Sequence, residues 1–255
     1  TFGSEEDGQL NTIQGTQNII DLCEQFKIKK LIYISTCNVY GTADYKNGQI
    51  VTEESSLERF PRKRGAYSYS KLKAEEIVRQ AMERGVVPIV CLRPGTIFGP
   101  GGEIFTPMMG FTLGHKLFAI IGPGKFVLPV LYIDNLVDAI VLTMNKEPST
   151  GNIYNVLNTD RLTKKEYVDL LLKKLYPGAY YIYIRYKLLY LIVLTQEMVF
   201  RILKRKPFLT RYRLASSQRN IIYDVSRIRN DLRCNPSVSI KEAVNRILEY
   251  EQRKR

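Results

Sequence analysis

Apolar residues recur with two different periods along the first part of the chain. Over residues 11–26 (NTIQGTQNIIDLCEQF) they are spaced three or four apart, which predicts a helix with one apolar face. Residues 28–35 (IKKLIYIS) form a short run of β-branched and aromatic residues, typical of a buried strand. The same two patterns return as a helix over 66–83, closed by Gly85, and a strand over 86–94. This alternation predicts parallel strands joined by crossover helices, an α/β fold.

The same alternation continues further along the chain. Residues 41–64 are polar and contain Gly and Pro, so they are predicted to form a long loop. Residues 130–144 predict a short strand that leads into a helix, with Asp134 near its start. A further strand is expected over 152–158 and a further amphipathic helix over 163–175.

Residues 179–206 (AYYIYIRYKLLYLIVLTQEMVFRILKRK) are the most aromatic and apolar part of the chain. Arg185, Lys187 and Glu197 interrupt the apolar residues, and the longest clean run is Leu188–Leu194. That run is too short for a bilayer, which requires about 20 apolar residues. Two interpretations stay open: an amphipathic helix that lies on a membrane surface, or a helix packed on the substrate side of the core.

Composition adds a charge asymmetry to this picture. The 255 residues are 45% hydrophobic and 25% charged, which is typical of a globular protein. The net charge is +13, and residues 181–255 carry most of it, with 17 Lys and Arg against 6 Asp and Glu. The basic residues follow no RNA-reading motif, so we expect a solvated or membrane-facing surface and no nucleic-acid partner.

Cysteine and histidine usage excludes two classes of chemistry. The four cysteines form no CxxC pair, and with the single His115 they do not match a zinc site, so no metal is expected. One histidine also argues against Ser–His and Cys–His nucleophilic catalysis. Free thiols indicate a reducing compartment, and we expect a cytoplasmic protein, with membrane association as a further possibility.

Two Tyr–Lys pairs with the same spacing lie in GAYSYSKLKAEE (65–76). On a helical wheel, Ser70, Ala74, Ile77, Val78 and Ala81 form the stripe that should face the sheet. Tyr67 and Lys71 fall at the edge of that stripe, whereas Tyr69 and Lys73 fall on the solvent side. The first pair is therefore the candidate for chemistry.

A tyrosine beside a lysine can act as a general acid or base. A phenol titrates near pH 10 in water, and a nearby ammonium lowers that pKa by favouring the phenolate. We therefore expect Lys71 to lower the pKa of Tyr67, for proton transfer to or from an alcohol. Ser35 and Thr36, at the carboxyl end of the first strand, are positioned to hold the substrate oxygen.

These motifs together resemble the extended short-chain dehydrogenase/reductases. NTIQGTQNII is similar to that family's N-x-x-G-T-x-N helix, and LIYISTCNVYG to the strand that carries its catalytic Ser/Thr. AYSYSKLKAEE matches Y-x-x-S-K-x-x-A-E, CLRPGTIFGPGG is similar to the strand and loop beside the nicotinamide, and LYIDNLVDAI to a later element. The matches occur in the family's order over about residues 9–160.

The resemblance implies a Rossmann-like parallel sheet, NAD or NADP as cofactor, and a set of site residues. It implies catalytic roles for Thr36, Tyr67 and Lys71. It implies cofactor contacts from Asn11, Ser35, Tyr67, Lys71, Arg93, Pro94 and Gly95. It implies substrate contacts from Cys37, Asn38, Tyr40, Thr96 and Phe98. Homodimers are usual in the family.

The C-terminal part is most similar to the 3β-hydroxysteroid dehydrogenase/isomerase branch and its sterol-dehydrogenase relatives. KRKPFLTRYRL (204–214) and residues 223–250 carry this likeness, although Arg229 and Arg233–Cys234 replace the branch's usual Ala and Gly-Tyr. In that branch the segment that corresponds to 179–206 contacts a membrane.

One family element is absent from these residues: the G-x-x-G-x-x-G turn that binds the dinucleotide pyrophosphate. The GPGG at 99–102 has the wrong spacing and is interpreted as a substrate-side loop. We therefore expect residues 1–102 to be the C-terminal part of a Rossmann domain, incomplete at its N-terminus. Residues 103–255 should form a smaller, mainly helical substrate region, with about 130–160 returning to the Rossmann core. Alone, the chain should bind nicotinamide cofactor weakly.

Three functions of different kinds stay open. The first is an NAD(P)-dependent oxidoreductase that interconverts a secondary alcohol and a ketone on a sterol-like or other lipophilic substrate, which segment 179–206 favours. The second is a nucleotide-sugar epimerase or reductase; dehydration is disfavoured because Cys37-Asn38 stand where dehydratases carry Asp-Glu. The third is a non-catalytic dinucleotide sensor or membrane-surface protein.

Overall fold

The computed structural model describes residues 5–146, 150–205 and 207–254, which form ten strands and nine helices in that part of the chain. The strands are β1 (Leu31–Ile34), β2 (Ile50–Val51), β3 (Ile89–Pro94), β4 (Thr96–Phe98), β5 (Gly110–Leu113), β6 (Leu117–Ile121), β7 (Val130–Tyr132), β8 (Ile153–Val156), β9 (Tyr180–Ile184) and β10 (Ile222–Tyr223). The helices are α1 (Glu5–Asp7, a π-helical stretch Gly8–Gln14, and Gly15–Gln25), α2 (Pro61–Arg64), α3 (Ala66–Arg84), α4 (Ile133–Asn145), α5 (Lys164–Tyr167, a π-helical stretch Val168–Leu172, and Lys173–Leu175), α6 (Tyr186–Ile202), α7 (Arg211–Ser217), α8 (Ser226–Leu232) and α9 (Ile240–Arg253).

The central sheet is parallel and has the order β1-β3-β8. Ile34 of β1 pairs with Leu92 of β3, and Cys91 of β3 pairs with Ile153 of β8. All six residues of β3 are buried, which explains its almost continuous apolar sequence. The predicted Rossmann-like parallel arrangement is confirmed for these strands.

Each face of this sheet is covered by helices. Ile89 of β3 packs with Ile20 and Cys23 of α1 and with Val78 and Ala81 of α3. Alternate residues of β3 point to the other face, which α4 and α8 cover through these side chains: Val90, Leu92, Leu136, Ala139, Ile228 and Leu232. A strand buried on both faces by helices is the α/β sandwich that the sequence predicts.

Helices α1 and α3 pack closely because their contact residues are small. A Cβ on Gly8 would lie 3.0 Å from Cβ of Ser70, so a larger residue there would push the helices apart. Helix α3 ends as predicted at Gly85, which adopts a left-handed conformation with φ 66°. Of its predicted sheet-facing stripe, Ser70, Ala74, Val78 and Ala81 are buried, and Ile77 is half-buried.

A second sheet, β5-β6-β9, forms a separate layer with α5 and α9. Strands β5 and β6 are antiparallel, whereas β6 and β9 are parallel. Tyr167 and Leu171 of α5 and Val244 and Ile247 of α9 pack in one cluster with Phe118 of β6. Two short parallel pairs complete the strands: β4 with β7, which packs with Phe118 of β6, and β2 with β10.

Both predictions for segment 179–206 were helical, but the start of the segment is a strand. Its first residues form strand β9, and the helix α6 begins only at Tyr186. The strand is favoured because Tyr180–Ile184 pair with all five residues of β6. Within the described residues, no helix is long and apolar enough to cross a membrane.

The four cysteines are free and buried in separate places. Cys23 packs between α1 and β3, Cys37 beside the carboxyl end of β1, and Cys234 against β8. Cys91 lies in the middle of β3 and is fully buried.

Candidate active site

Thr36 lies immediately after β1, at the carboxyl end of the parallel sheet. Its hydroxyl accepts a hydrogen bond of 3.2 Å from the backbone N–H of Asn38 and so caps the short 3-10 turn Cys37–Val39. A short hydroxyl side chain is suited to this local bond. The turn keeps the Thr36 side chain, which is 7% exposed, at the sheet edge.

Tyr67 is in the first turn of α3, and its phenol is close enough to the Thr36 side chain for a hydrogen bond to influence its pKa. The chain enters α3 through Gly65, whose φ of 123° is readily adopted only by glycine. Burial raises the pKa of Tyr67, and the hydrogen bond with Thr36 partly offsets that increase. The structure therefore brings together two groups that the sequence predicts as catalytic.

Lys71 points to the same sheet edge, one helical turn after Tyr67. Its Nζ donates a hydrogen bond of 3.0 Å to the carbonyl of Ile34 and lies 5.6 Å from the ring centre of Tyr33. Burial lowers the pKa of Lys71, and the charge of Glu75 acts in the opposite direction. The expected lowering of the Tyr67 pKa by Lys71 is wrong for this arrangement, because burial of the phenol dominates.

The second Tyr–Lys pair has partners on the outer side of α3. Arg62 donates a hydrogen bond of 3.0 Å to the Tyr69 hydroxyl. Lys73 forms an ion pair of 2.6 Å with Glu76. These contacts agree with the helical wheel, which assigns this pair to the solvent side.

Beneath the Tyr67–Thr36 pair lies a fully buried ion pair between Glu75 of α3 and Arg93 of β3. Both side chains have zero exposure, and Nη2 of Arg93 is 2.5 Å from Oε1 of Glu75. Ser35 donates a hydrogen bond of 2.5 Å to the other carboxylate oxygen. The side chains of Ser35 and Arg93 are thus bound within the core, and the predicted cofactor contacts of these two residues stay predictions.

The buried network continues from Arg93 to the turn after β1. Nη1 of Arg93 donates to the Tyr40 hydroxyl at 2.8 Å, and that hydroxyl donates to Oδ1 of Asn155 at 2.6 Å. The backbone N–H of Asn155 in turn donates to Oε1 of Glu53 at 2.8 Å. Burial raises the pKa of Tyr40. The Tyr40 hydroxyl thus has two partners in the interior, and the predicted substrate contact of Tyr40 stays a prediction.

Sequence reasoning missed the three polar residues that complete this network: Glu75, Glu53 and Asn155. One signal was available for Glu75, because it follows Lys71 by one helical turn on the sheet-facing side of α3. An arginine in a buried strand also requires a buried carboxylate. Nothing in the sequence pattern indicates Glu53 or Asn155.

The two residues after Thr36, Cys37 and Asn38, contact other parts of the protein. Cys37 is 4% exposed and its Sγ donates to the carbonyl of Arg93 at 3.2 Å. Burial also raises the pKa of the Cys37 thiol. The side-chain oxygen of Asn38 accepts a hydrogen bond from Arg64. Cys37 and Asn38 thus have partners within the protein, and their expected substrate contacts stay predictions.

The segment after β3 leads to an apolar hollow. Thr96 and Phe98 of β4 line it together with Met108, Met109 and Leu128. Phe98 is 5% exposed, and the predicted substrate contacts of Thr96 and Phe98 stay predictions.

Three predicted cofactor contacts have different environments. Pro94 is buried at the end of β3. Position 95 requires glycine because the backbone of Pro129 packs against it: a Cβ there would lie 2.5 Å from the Pro129 carbonyl oxygen. Asn11 is exposed on the π-helical stretch of α1.

The sheet edge fits the nicotinamide-ribose side of a dinucleotide. The ammonium of Lys71 has three N–H donors, and among the described residues its one hydrogen-bond acceptor is the Ile34 carbonyl. Its other donors can bond ribose hydroxyls next to Tyr67. The GPGG loop does not provide a pyrophosphate site: Gly101 packs against the Tyr250 hydroxyl, and in the described chain the next helix begins at Ile133.

Among the described residues, no cluster of three or more His, Cys, Asp and Glu side chains is arranged to hold a metal ion.

Comparisons with known proteins extend these observations. Residues 2–156 match the family described as NAD dependent epimerase/dehydratase. The 3beta-hydroxysteroid-dehydrogenase/decarboxylase isoform 1 of Arabidopsis thaliana is 28% identical over 251 residues, which are 93% of this chain and 56% of that protein. The dTDP-D-glucose 4,6-dehydratase of Dictyostelium discoideum is 31% identical over 153 residues, which are 57% of this chain and 35% of that protein. The chain thus spans about half or less of the length of these relatives.

A solved structure shows the same fold. The UDP-glucuronic acid 4-epimerase from Bacillus cereus in complex with NAD has a TM-score of 0.71 at 20% identity, and the match covers 100% of this chain and 72% of that one. The predicted family and fold class are confirmed, and the expected dependence on a nicotinamide cofactor agrees with the description of the matching family. The chain belongs to the NAD dependent epimerase/dehydratase family.

Proposed function

We propose that this chain carries the proton-transfer site of an NAD(P)-dependent oxidoreductase that interconverts a secondary alcohol and a ketone. The observation that supports this most directly is the placement of Tyr67 beside Thr36 at the carboxyl edge of the sheet. Open parallel sheets bind their ligands at this edge. Lys71, one helical turn further on, contacts the same edge through the Ile34 carbonyl.

Each of the three side chains would have a separate task. Thr36 would hold the substrate oxygen with its hydroxyl, and Tyr67 would exchange a proton with that oxygen. Because burial raises its pKa, Tyr67 keeps its proton at neutral pH in the arrangement described, which suits donation to a carbonyl. Lys71 would bind the ribose and, when closer to the phenol, favour its ionised form. A bound nicotinamide would supply or accept the hydride.

The substrate that we propose is lipophilic, with a sterol-like molecule as the leading candidate. The hollow beside β4 has a volume of only about 20 Å³ and is lined by Phe98, Met108, Met109 and Leu128 together with Glu103 and Thr106, so a lipophilic ligand would have to displace some of these side chains. The Arabidopsis relative, named as a 3beta-hydroxysteroid dehydrogenase, aligns over 93% of this chain, including its C-terminal half. Flexible methionine side chains are suited to an apolar ligand of irregular shape.

A nucleotide sugar is the second candidate. It is favoured by the Bacillus cereus epimerase, whose structure matches the whole chain. Epimerisation uses the same alcohol–ketone chemistry, so the Thr36–Tyr67 pair is compatible with it. Dehydration is less compatible, since Cys37 is a buried thiol and Asn38 is bound by Arg64.

The test is a substitution at Tyr67 in the protein at its full natural length. Tyr67→Phe removes the hydroxyl, and turnover should fall by about 100- to 10,000-fold, the usual contribution of a general acid. Tyr69→Phe is the matched control two residues away and should retain activity. The assay follows nicotinamide absorbance with 3-hydroxysterols in one series and UDP- or dTDP-sugars in the other. Substantial turnover by Tyr67→Phe would remove Tyr67 from the mechanism.

We also propose that α6 contacts a membrane surface. Leu188, Leu191, Ile192, Met198, Val199 and Ile202 recur at helical spacing and are each at least 50% exposed. Arg201 in the last turn of this helix and Lys204 and Arg205 just beyond its end are exposed. An apolar helical face with cations at one end is typical of binding to anionic lipid.

The proposed homodimer would use α1. Ile19, Leu22 and Phe26 are spaced three and four apart and are 50%, 46% and 67% exposed. A second copy of the chain would cover this face by helix packing. Sedimentation equilibrium tests the proposal: a monomer at micromolar concentration would exclude it.

A further inference from the structure

Thr36 and Tyr67 belong to separate elements, so something must fix the distance between them. Thr36 is part of the turn that follows β1, and Tyr67 is in the first turn of α3. Two contacts tie α3 to β1 further along the helix, from Lys71 to Ile34 and from Glu75 to Ser35. Neither of them reaches the turn beyond Thr36.

Arg64 makes the hydrogen-bonded contact at that end, in addition to the apolar packing of Leu72 of α3 with Cys37 and Val39. It is the last residue of α2 and stands three positions before Tyr67, while its guanidinium binds the turn that contains Asn38 and Tyr40. Its Nη1 donates hydrogen bonds of 2.9 Å to the carbonyls of Asn38 and Tyr40. Its Nη2 donates one of 3.2 Å to the side-chain oxygen of Asn38. One side chain therefore binds the residues two and four positions after Thr36.

The surroundings of Arg64 hold it in place. Its side chain is 9% exposed, and Oε2 of Glu58 lies 3.7 Å from its Nη1. Glu58 is itself fixed, since its other carboxylate oxygen accepts hydrogen bonds from the backbone of Phe60 and from the Tyr212 hydroxyl. Burial lowers the pKa of Arg64 and the charge of Glu58 opposes this, so the guanidinium stays charged. The planar guanidinium of arginine can donate to three separate oxygens at once, whereas a lysine ammonium is a compact charge that cannot reproduce this geometry.

We infer that Arg64 is a positioning residue that sets the hydrogen bond between Thr36 and Tyr67. It acts through the turn Cys37–Val39: by holding the backbone of Asn38 and Tyr40 next to the start of α3, it keeps Thr36 within reach of the phenol. This role requires no contact between Arg64 and the substrate or the cofactor. The inference rests on the proposed function for its effect on turnover, but its effect on the Tyr67 phenol is independent of that function.

The first experiment measures the phenol directly in the 255-residue chain. Tyrosine labelled with carbon-13 at Cζ is titrated by NMR, and Tyr67→Phe identifies the Tyr67 signal. In Arg64→Lys the pKa of Tyr67 should rise further, because the hydrogen bond with Thr36 that lowers it is weakened. The matched control is Arg62→Lys, since Arg62 is in the same short helix but binds Tyr69. It should leave the Tyr67 titration unchanged.

The second experiment measures turnover in the full-length protein. Arg64→Lys should lower kcat by roughly 10- to 100-fold, as expected for displacement of a reacting group by a fraction of an ångström to one ångström. KM for the cofactor should stay within twofold. In Arg64→Ala, added guanidinium ion should restore part of the lost kcat and shift the Tyr67 signal back.

The outcomes separate the two proposals. Retained turnover in Tyr67→Phe would overturn the proposed function and leave the titration as the test of Arg64. An unchanged Tyr67 titration in folded Arg64→Lys would overturn the positioning role, whatever the turnover. An equal change in Arg62→Lys would also overturn it, because the effect would then not depend on the contacts with Asn38 and Tyr40.

Discussion

The core below the active site and the outer face of α6 reverse the usual distribution of polar and apolar groups. In the core, Glu75 and Arg93 are charged and have zero exposure. On α6, Leu188 and Ile202 are apolar and are 55% and 80% exposed. The core charges have a full set of protein partners, whereas the α6 side chains face outward. A buried charged group whose hydrogen bonds are all made within the protein indicates a structural role. An exposed apolar helix face that no other part of the protein covers indicates a contact with another molecule.

The largest expected effect comes from breaking the buried ion pair. Glu75→Gln leaves the Arg93 charge uncompensated in the core, and we expect the free energy of unfolding to fall by about 3–5 kcal/mol. Urea denaturation measures the change. The control is the neighbouring Glu76→Gln, which removes a half-exposed pair with Lys73 and should cost about 0–1 kcal/mol. Similar losses for the two variants would show that the buried pair contributes no more than the surface pair.

The two faces of α6 give the next contrast. Leu189 is 5% exposed and packs with Ile121 and Leu214, so Leu189→Ala should cost about 2–5 kcal/mol. Leu191 is 56% exposed, and Leu191→Ala should change stability by less than about 0.5 kcal/mol. Thermal or urea unfolding of the two variants measures this difference.

The exposed face should instead affect lipid binding. Leu191→Glu adds a negative charge to the apolar face and should reduce co-sedimentation with anionic vesicles, while unfolding stays close to that of the wild type. Equal binding of the wild-type chain to anionic and neutral vesicles would count against the basic end of α6 as a lipid contact.

The effect that needs the finest measurement concerns Lys164, a fully buried lysine whose amino group is bound by neutral oxygens. Its Nζ donates to the Ile121 carbonyl at 3.2 Å and to Gln218 at 2.6 Å. Burial lowers the pKa of Lys164 to about 7, below its usual 10.5. The unfolded chain therefore binds more protons than the folded chain between these two values. Stability should rise with pH in that window and fall as pH decreases towards 7, with a slope below about 1.4 kcal/mol per pH unit.

Lys164→Met should flatten this pH dependence, because the titrating group is removed. Lys165→Met is the control: Lys165 is exposed and paired with Asp169, so the slope should persist. The measurement is urea denaturation across pH 7 to 10. A slope that is unchanged in Lys164→Met would assign the dependence to other groups.

The choice between the two Tyr–Lys pairs was predictable because helical periodicity alone separates them. Residues four apart share a face, so identifying the apolar stripe of α3 also shows which pair meets the sheet. The strands β1, β3 and β8 were predictable for a similar reason, since a run of β-branched residues between helices indicates a strand buried on both sides.

The environment of the site was less predictable, because burial depends on contacts between distant segments. Arg93 and Tyr40 follow the family's motif, but the motif does not show that Glu75 and Asn155 occupy their polar groups. The Tyr67 pKa differs from expectation for the same reason: the lysine spacing is local, whereas the desolvation of the phenol is set by the whole fold. The division of the chain near residue 102 remains a prediction.

The cysteines offer a practical consequence. Cys23, Cys37, Cys91 and Cys234 are each less than 10% exposed and lie in different parts of the interior. A thiol reagent in solution can reach each of them only when its own part of the molecule opens. The rate of labelling at each cysteine, read by mass spectrometry, would therefore give a map of local opening in the native protein without any engineered probe.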